Sequence, residues 1–384
     1  LSPARLAVVE YDPEAALIFP ISPEEVAVWA DDTIRLLQLL GYQHPDPPAP
    51  IRLVDMGRAL HGRFTATDGI WLDPHSPDPL KTLDHELFHW AQHAYPQALS
   101  AGLWWLEGTA EWWALFRPGV DRAPALRYGN RLNAGLTSPL VSPYPAALFI
   151  ARLAHRHGAD FIRQAMERGA AGPDAMVRNL AALVGEEIFR DEFFAFLLQV
   201  WLKDTDGPMG GTSPSPDQPV VIVRGRGRVE PLSADVLLVR LDPEKTLARV
   251  TLELSLTPSV EAGSVRLWIA RFGRESMVDV AVLPQQSVIE VEAGGASAVA
   301  IGVASLAPGH RPLAVQLSSV SWYGNRLQLP AARALTRAES RATYLATWSD
   351  RLPAEPGTPR RETDPALWMA CPTTPARTSW AASR

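Results

Sequence analysis

The sequence predicts an α+β chain: a small N-terminal sheet leading into a helical part, followed by a β-sandwich. Three observations predict it. Residues from about 78 to 203 carry an almost wholly helical pattern, punctuated by Pro118, Gly158, Gly169 and Gly185. Residues 204–219, DTDGPMGGTSPSPDQP, form the clearest linker in the chain. After it, apolar runs recur at short spacing, from VVIVRGRGRV through SVRLWIARF and SAVAIGVAS to PLAVQLSSVSW, and that spacing suits a sandwich. The expected division is therefore 1–203, a linker at 204–219, a β-sandwich at 220–330, and a remainder at 331–384. In that remainder residues 331–350 can form a helix. The Pro-, Thr-, Ser- and Arg-rich tail beyond it lacks periodicity and is expected to be mostly disordered.

The elements follow in order. Residues 5–20 alternate loosely and read as short strands. At SPEE, Ser22 is placed to cap a helix, with Pro23 as its first residue and Glu25 as the reciprocal capping-box partner. That helix runs through LLQLL and stops at Gly41. A proline-rich loop follows, then a strand at IRLVDM, then a hairpin of GRFTA and GIWLD turning at Thr67-Asp68-Gly69. Pro96 is expected to end the helix that contains residues 82–93, and Asp160 and Asp174 to cap later ones. In VRLWIARFGR, arginines alternate with apolar residues, the pattern of a half-buried strand with Arg on its wet face.

A net charge of −6 argues against a general nucleic-acid binder, which needs a basic face. No run of about 18 apolar residues is present, so no membrane span is expected. The single cysteine, Cys371, allows neither an intramolecular disulfide nor a cysteine-based zinc site.

The chemistry concentrates in TLDHELFHWAQH, residues 82–93. On a helix, His85 and His89 are four residues apart and share one face, so both imidazoles can reach one ion, as in the H-E-x-x-H zinc motif. Glu86 sits beside the first ligand, where it can hold a water rather than the ion. A third ligand is needed, with a further position left open. In LWWLEGTAEWW, Glu107 lies 18 positions after His89, and Glu111 is one helical turn further on. A helix crossing the first can place Glu107 on the ion, with Gly108 permitting close approach. Glu111 can then accept a hydrogen bond from the far nitrogen of a ligand histidine.

HELFHWAQHAY followed by WWLEGTAEWW resembles the gluzincin metallopeptidases, the thermolysin and aminopeptidase-like superfamily, and most of all its bacterial exported branch. The resemblance covers roughly residues 50–200. It implies a zincin-like catalytic domain that binds Zn2+ through His85, His89 and Glu107, with Glu86 as general base, Glu111 behind a ligand histidine, and a polypeptide substrate. In SPYPAALF it implies that Tyr144 donates to the oxyanion formed during hydrolysis; Tyr128, His155 and His157 remain alternatives. The G-x-M-x-N strand of the aminopeptidases is missing from GRFTATDGIWLD, which favours endopeptidase over aminopeptidase action. The resemblance, together with a first residue that is Leu1 rather than Met, favours an extracytoplasmic protein.

Competing readings are structural. His93 is also four residues from His89, but eight residues of helix put it about 12 Å from His85, too far to share an ion. His155 and His157 suit the negative end of a helix dipole. Trp104, Trp105, Trp112 and Trp113 suit core packing. Asp73, His75 and Asp78 suit a loop and a helix cap better than a calcium site. A surface-binding or adhesion protein with a non-catalytic zincin domain is the alternative function, and a zinc hydrolase acting on a non-peptide bond is a third.

Overall fold

The computed structural model describes residues 5–204 and 220–328, except positions 12, 47, 58–60, 123–125, 127, 129–131, 224–227, 242–249, 258–262, 274–276, 284–287, 292–295, 310–311 and 323–324. The expected linker after residue 204 and the expected helix and tail beyond 330 lie outside the described residues.

The chain is mixed helix and sheet, as expected for an α+β protein. Strand β1 (Ala7–Tyr11) is followed by helix α1 (Pro13–Ile18), α2 (Pro23–Leu39), β2 (Ala49–Leu53), β3 (Gly62–Thr65) and β4 (Gly69–Leu72). The strand expectation for residues 5–20 is half corrected: Ala7–Tyr11 is a strand, but PEAALI forms a helix, with Pro13 at its first position. Helix α2 starts with the expected capping box. The Glu25 backbone N–H donates to Ser22 Oγ at 3.2 Å, and the Ser22 N–H donates to Glu25 Oε2 at 2.8 Å.

The four strands order as β1-β2-β4-β3. The first three run parallel, and β3 is antiparallel to β4 and closes one edge. The hairpin turn needs Gly69, whose φ is +80° and whose missing Cβ would lie 2.4 Å from the Pro50 carbonyl. One face of this sheet packs its Ile51, Leu53, Ile70 and Leu72 against Val26, Ala30 and Ile34 of α2 and against Leu83, Leu87 and Trp90 of the next helix, α3 (Pro79–Gln92). Asp78 caps α3 by accepting from the Lys81 N–H at 2.8 Å. The helix ends at Gln92 with His93 as its C-cap, three residues before Pro96.

Helices α4 (Leu103–Phe116), α5 (Ala146–His157), α6 (Asp160–Arg168), α7 (Pro173–Val184) and α8 (Glu186–Asp204) complete the helical part. Ala159 and Gly172, not Asp160 and Asp174, occupy the N-cap positions of α6 and α7. The two aspartates sit in the first turn, where their charge still favours the helix dipole. Among the described residues, no helix is long and apolar enough to cross a membrane.

The remaining strands are β5 (Val220–Val223), β6 (Arg228–Val229), β7 (Ser233–Leu241), β8 (Val250–Thr257), β9 (Val265–Phe272), β10 (Met277–Leu283), β11 (Val288–Val291), β12 (Ala298–Ser305), β13 (Leu313–Trp322) and β14 (Asn325–Gln328). They form two sheets, β10-β9-β12-β7-β5 and β11-β8-β13-β14, with β6 also pairing with β13. Every described ladder between them is antiparallel. Val265, Leu267 and Ile269 of β9 share one apolar cluster with Ile289 and Val291 of β11 and Leu313 and Val315 of β13, so the two sheets face each other.

The wet-face reading of β9 is corrected. Its other face packs on helices rather than meeting water: the Trp268 ring lies 5.9 Å from both Phe194 and Trp201 of α8. Arg266 on that face pairs with Asp191 of α8. The helical part and the first of the two sheets therefore share one core.

Candidate metal centre

Helix α3 carries His85, Glu86 and His89, while α4 carries Glu107 and Glu111. The two helices pack so that three donor atoms converge. His85 Nε2 is 3.1 Å from His89 Nε2 and 3.2 Å from Glu107 Oε2, and His89 Nε2 is 3.6 Å from the same oxygen. A tetrahedral ion with zinc–nitrogen and zinc–oxygen bonds of about 2.0–2.1 Å sets its donors about 3.3–3.4 Å apart. The triangle matches that edge length.

The outer nitrogens decide what the inner ones can do. His85 Nδ1 faces Glu111 Oε2 at 3.3 Å, and His89 Nδ1 faces Gln92 Oε1 at 2.7 Å. The Gln92 amide has one sensible orientation, because its Nε2 donates to the Leu106 carbonyl at 3.0 Å and to Thr109 Oγ1 at 2.7 Å. Thr109 donates onward to the Trp105 carbonyl at 2.7 Å. Both Nδ1 atoms thus face acceptors, and the Nε2 atoms are the ones turned toward each other and toward a carboxylate oxygen. His85, His89 and Glu107 could hold a metal ion at this point.

The electrostatics follow from burial and charge. Burial by itself pushes the His85 imidazolium down, but hydrogen bonds to Glu107 and Glu111 and the charges of Glu86 and Glu111 prevail and lift it to about 9. Burial raises Glu107 and Glu111, yet contacts with His85 and His89 for the first, and with His85 and Lys81 for the second, hold both below the usual carboxylate range. Glu86 behaves oppositely. It is buried, and burial pushes its carboxyl up, with Glu107 adding to the rise; His85, His89 and the Phe64 backbone N–H of β3 offset only part of it. Gly62, on the same strand, lets β3 lie against this carboxylate: a Cβ there would sit 2.4 Å from Thr82 Cγ2 and 3.0 Å from Glu86 Oε1.

Tyr144, in the turn before α5, reaches the same place. Its ring centroid is 5.8 Å from that of His85, and its hydroxyl lies within the influence of the Glu107 carboxylate. Burial, followed by the charges of Glu107, Glu86 and Glu111, pushes its pKa up to about 12, so it is a protonated donor near neutral pH.

The other candidates fall elsewhere. Tyr128 is fully buried with its ring edge-on to Phe196. His155 and His157 lie in the last turn of α5, about 14 and 17 Å along the helix from its first residue, Ala146, and so at the opposite end from Tyr144. His93 is exposed, with its ring 5.9 Å from Phe64. All four indoles of the tryptophan pairs are core. Asp55, Asp73 and His75 also bring donor atoms within 4.8 Å of one another. Asp73, however, is committed to the loop, accepting from the N–H groups of Met56 at 2.5 Å and His75 at 2.7 Å. Gly108 does permit a close helix approach, but toward Ala146 and Ile150 of α5 rather than toward α3.

Sequence reasoning missed three supports. Gln92 was visible three residues after His89. Lys81, one turn before His85, donates to Glu111 Oε1 at 2.6 Å. Asp84, fully buried beside His85, accepts from Trp29 Nε1 at 3.0 Å, Thr33 Oγ1 at 2.8 Å and Arg122 Nη1 at 2.7 Å, and pairs with Arg117 at 3.0 Å. It ties α2, α3 and the chain after α4 together.

No protein-family model and no curated protein matches the chain, so the site's geometry carries the functional reading.

Proposed function

We propose that the chain is a zinc metallopeptidase of the gluzincin type, with a zincin-like fold for the N-terminal sheet and helices and a β-sandwich for the two facing sheets. One observation carries the reading: two imidazole nitrogens and one carboxylate oxygen converge at near-tetrahedral spacing, with Glu86 buried on the same helix. His85, His89 and Glu107 would hold the ion. When bound, zinc supplies Lewis acidity, polarising a carbonyl and making water a better acid.

The chain's own residues supply the proton chemistry. Glu86, with its carboxyl raised by burial, takes a proton from the attacking water and returns it to the leaving amine. Tyr144 keeps its proton and donates to the oxyanion that develops on the substrate carbonyl. Strand β3 is a sheet edge lying against Glu86, and an extended polypeptide can add to it through backbone hydrogen bonds. Such binding reads the chain rather than its amino terminus, which favours endopeptidase action.

The test is cleavage of an unfolded protein substrate with zinc present, by wild type and by Glu86→Gln. Metal-dependent cleavage that falls by about a hundredfold or more in the variant supports the proposal. A fully active Glu86→Gln protein, or a zinc-loaded wild type that cleaves no polypeptide, contradicts it.

A further inference from the structure

We infer that Lys81 is a charge-balancing positioning residue, one that sets how tightly the centre holds a divalent cation. The inference rests on the zinc reading above and extends it to a residue outside the donor triangle. Lys81 lies four residues before His85 on α3, so both side chains project from one face. Its ammonium donates to Glu111 Oε1 at 2.6 Å, while the other oxygen of that carboxylate faces His85 Nδ1 at 3.3 Å. Lys81, Glu111 and His85 thus form a chain from a half-buried cation to the metal-facing imidazole.

This pair differs from an ordinary surface ion pair, which contributes little because both partners are solvated. The Glu111 side chain is only 7% exposed, against 32% for Lys81, so the carboxylate has no large share of water to screen it. The charges at the centre make the point sharper. Glu86, Glu107 and Glu111 bring three carboxylates to one small volume, and a divalent ion neutralises two of them. Lys81 supplies the third positive charge. Among the described residues, no other lysine or arginine is ion-paired with any of the three.

The consequence has a definite sign. Lys81 draws charge from Glu111, so Glu111 pulls less on the His85 Nδ1 proton, and His85 donates less charge from Nε2. The ammonium also repels a divalent ion directly. Both effects would lower the affinity of the centre for a divalent cation. Removing the charge should therefore tighten metal binding, whereas removing a mere structural brace would loosen it.

The experiment is zinc affinity by competition with a chromophoric chelator, at fixed pH and salt, for the wild-type chain, Lys81→Met, Lys81→Gln and Lys81→Arg, with thermal unfolding of each metal-free protein alongside. Lys81→Gln keeps a hydrogen-bond donor to Glu111 without the charge, so it separates charge from positioning and serves if the methionine variant does not fold. The expected result is affinity about fivefold tighter or more in both neutral variants, and within about twofold of wild type in Lys81→Arg. Unchanged affinity in Lys81→Gln would make the pair an ordinary ion pair and overturn the inference, as would weaker affinity, while leaving the zinc reading standing. Absence of zinc binding in wild type and variants alike would overturn the zinc reading itself and the inference with it.

Discussion

Gln92 and Glu111 show how single side chains prepare the two imidazoles. Each accepts the outer N–H of one histidine, and so makes the inner nitrogen the one that an ion would meet. Gln92→Leu keeps the volume and removes the acceptor, and it should weaken metal affinity about 10- to 100-fold in an equilibrium titration. Glu111 was legible in the sequence because it stands one helical turn after Glu107. Gln92 was equally local, but only the Leu106 carbonyl and the Thr109 hydroxyl, on another helix, fix which way its amide faces. The metal-free protein should also respond to pH. The folded His85 pKa of about 9 lies above the ordinary 6.5, so its contribution to stability is complete below about 6.5 and is lost as pH rises through 9. Chelator-treated protein should melt at progressively lower temperature over that range. Zinc-loaded protein should not, because the ion replaces the proton.

Helix α3 meets α4 through polar ties and through Phe88, whose ring lies 5.7 Å from that of Trp113, and meets α2 through a shared apolar cluster and through Asp84. The two arginines paired with Asp84 bracket a buried carboxylate that would otherwise be intolerable in that place. Asp84→Ala leaves Arg117 and Arg122 without that acceptor and should destabilise the fold by about 3–5 kcal/mol in denaturant unfolding. Asp84→Asn, which keeps an acceptor oxygen, should cost less. The capping box of α2 and the β3–β4 hairpin were legible because their signals lie within a few residues: Ser22 with Glu25, and Thr67-Asp68-Gly69. The Asp84 tie was not, since Trp29 stands 55 residues away and Arg122 38. Pro13–Ile18 misled for a different reason. Six residues hold too few turns to show a helical period, and ALI reads equally well as a strand.

Across the whole molecule, the first of the two C-terminal sheets is joined to the helices through Trp268, which packs on Phe194 and Trp201. The strands were legible one by one from their apolar runs. Their packing was not, because periodicity places an arginine off one apolar face without saying whether water or a helix meets it. Arg266 meets Asp191. Trp268→Ala should cost about 3–5 kcal/mol, and near-ultraviolet and far-ultraviolet signals should shift together, because the cavity opens in a core that both parts share. At the site itself α3 packs against α4, and the convergence of His85, His89 and Glu107 is the product. The measurement that tests it most directly is zinc per chain by elemental analysis, after offering the metal and removing the excess, in wild type and in Glu107→Ala. The donor triangle predicts about one zinc in wild type and far less in the variant. No zinc in wild type, or the same amount in both proteins, would contradict it.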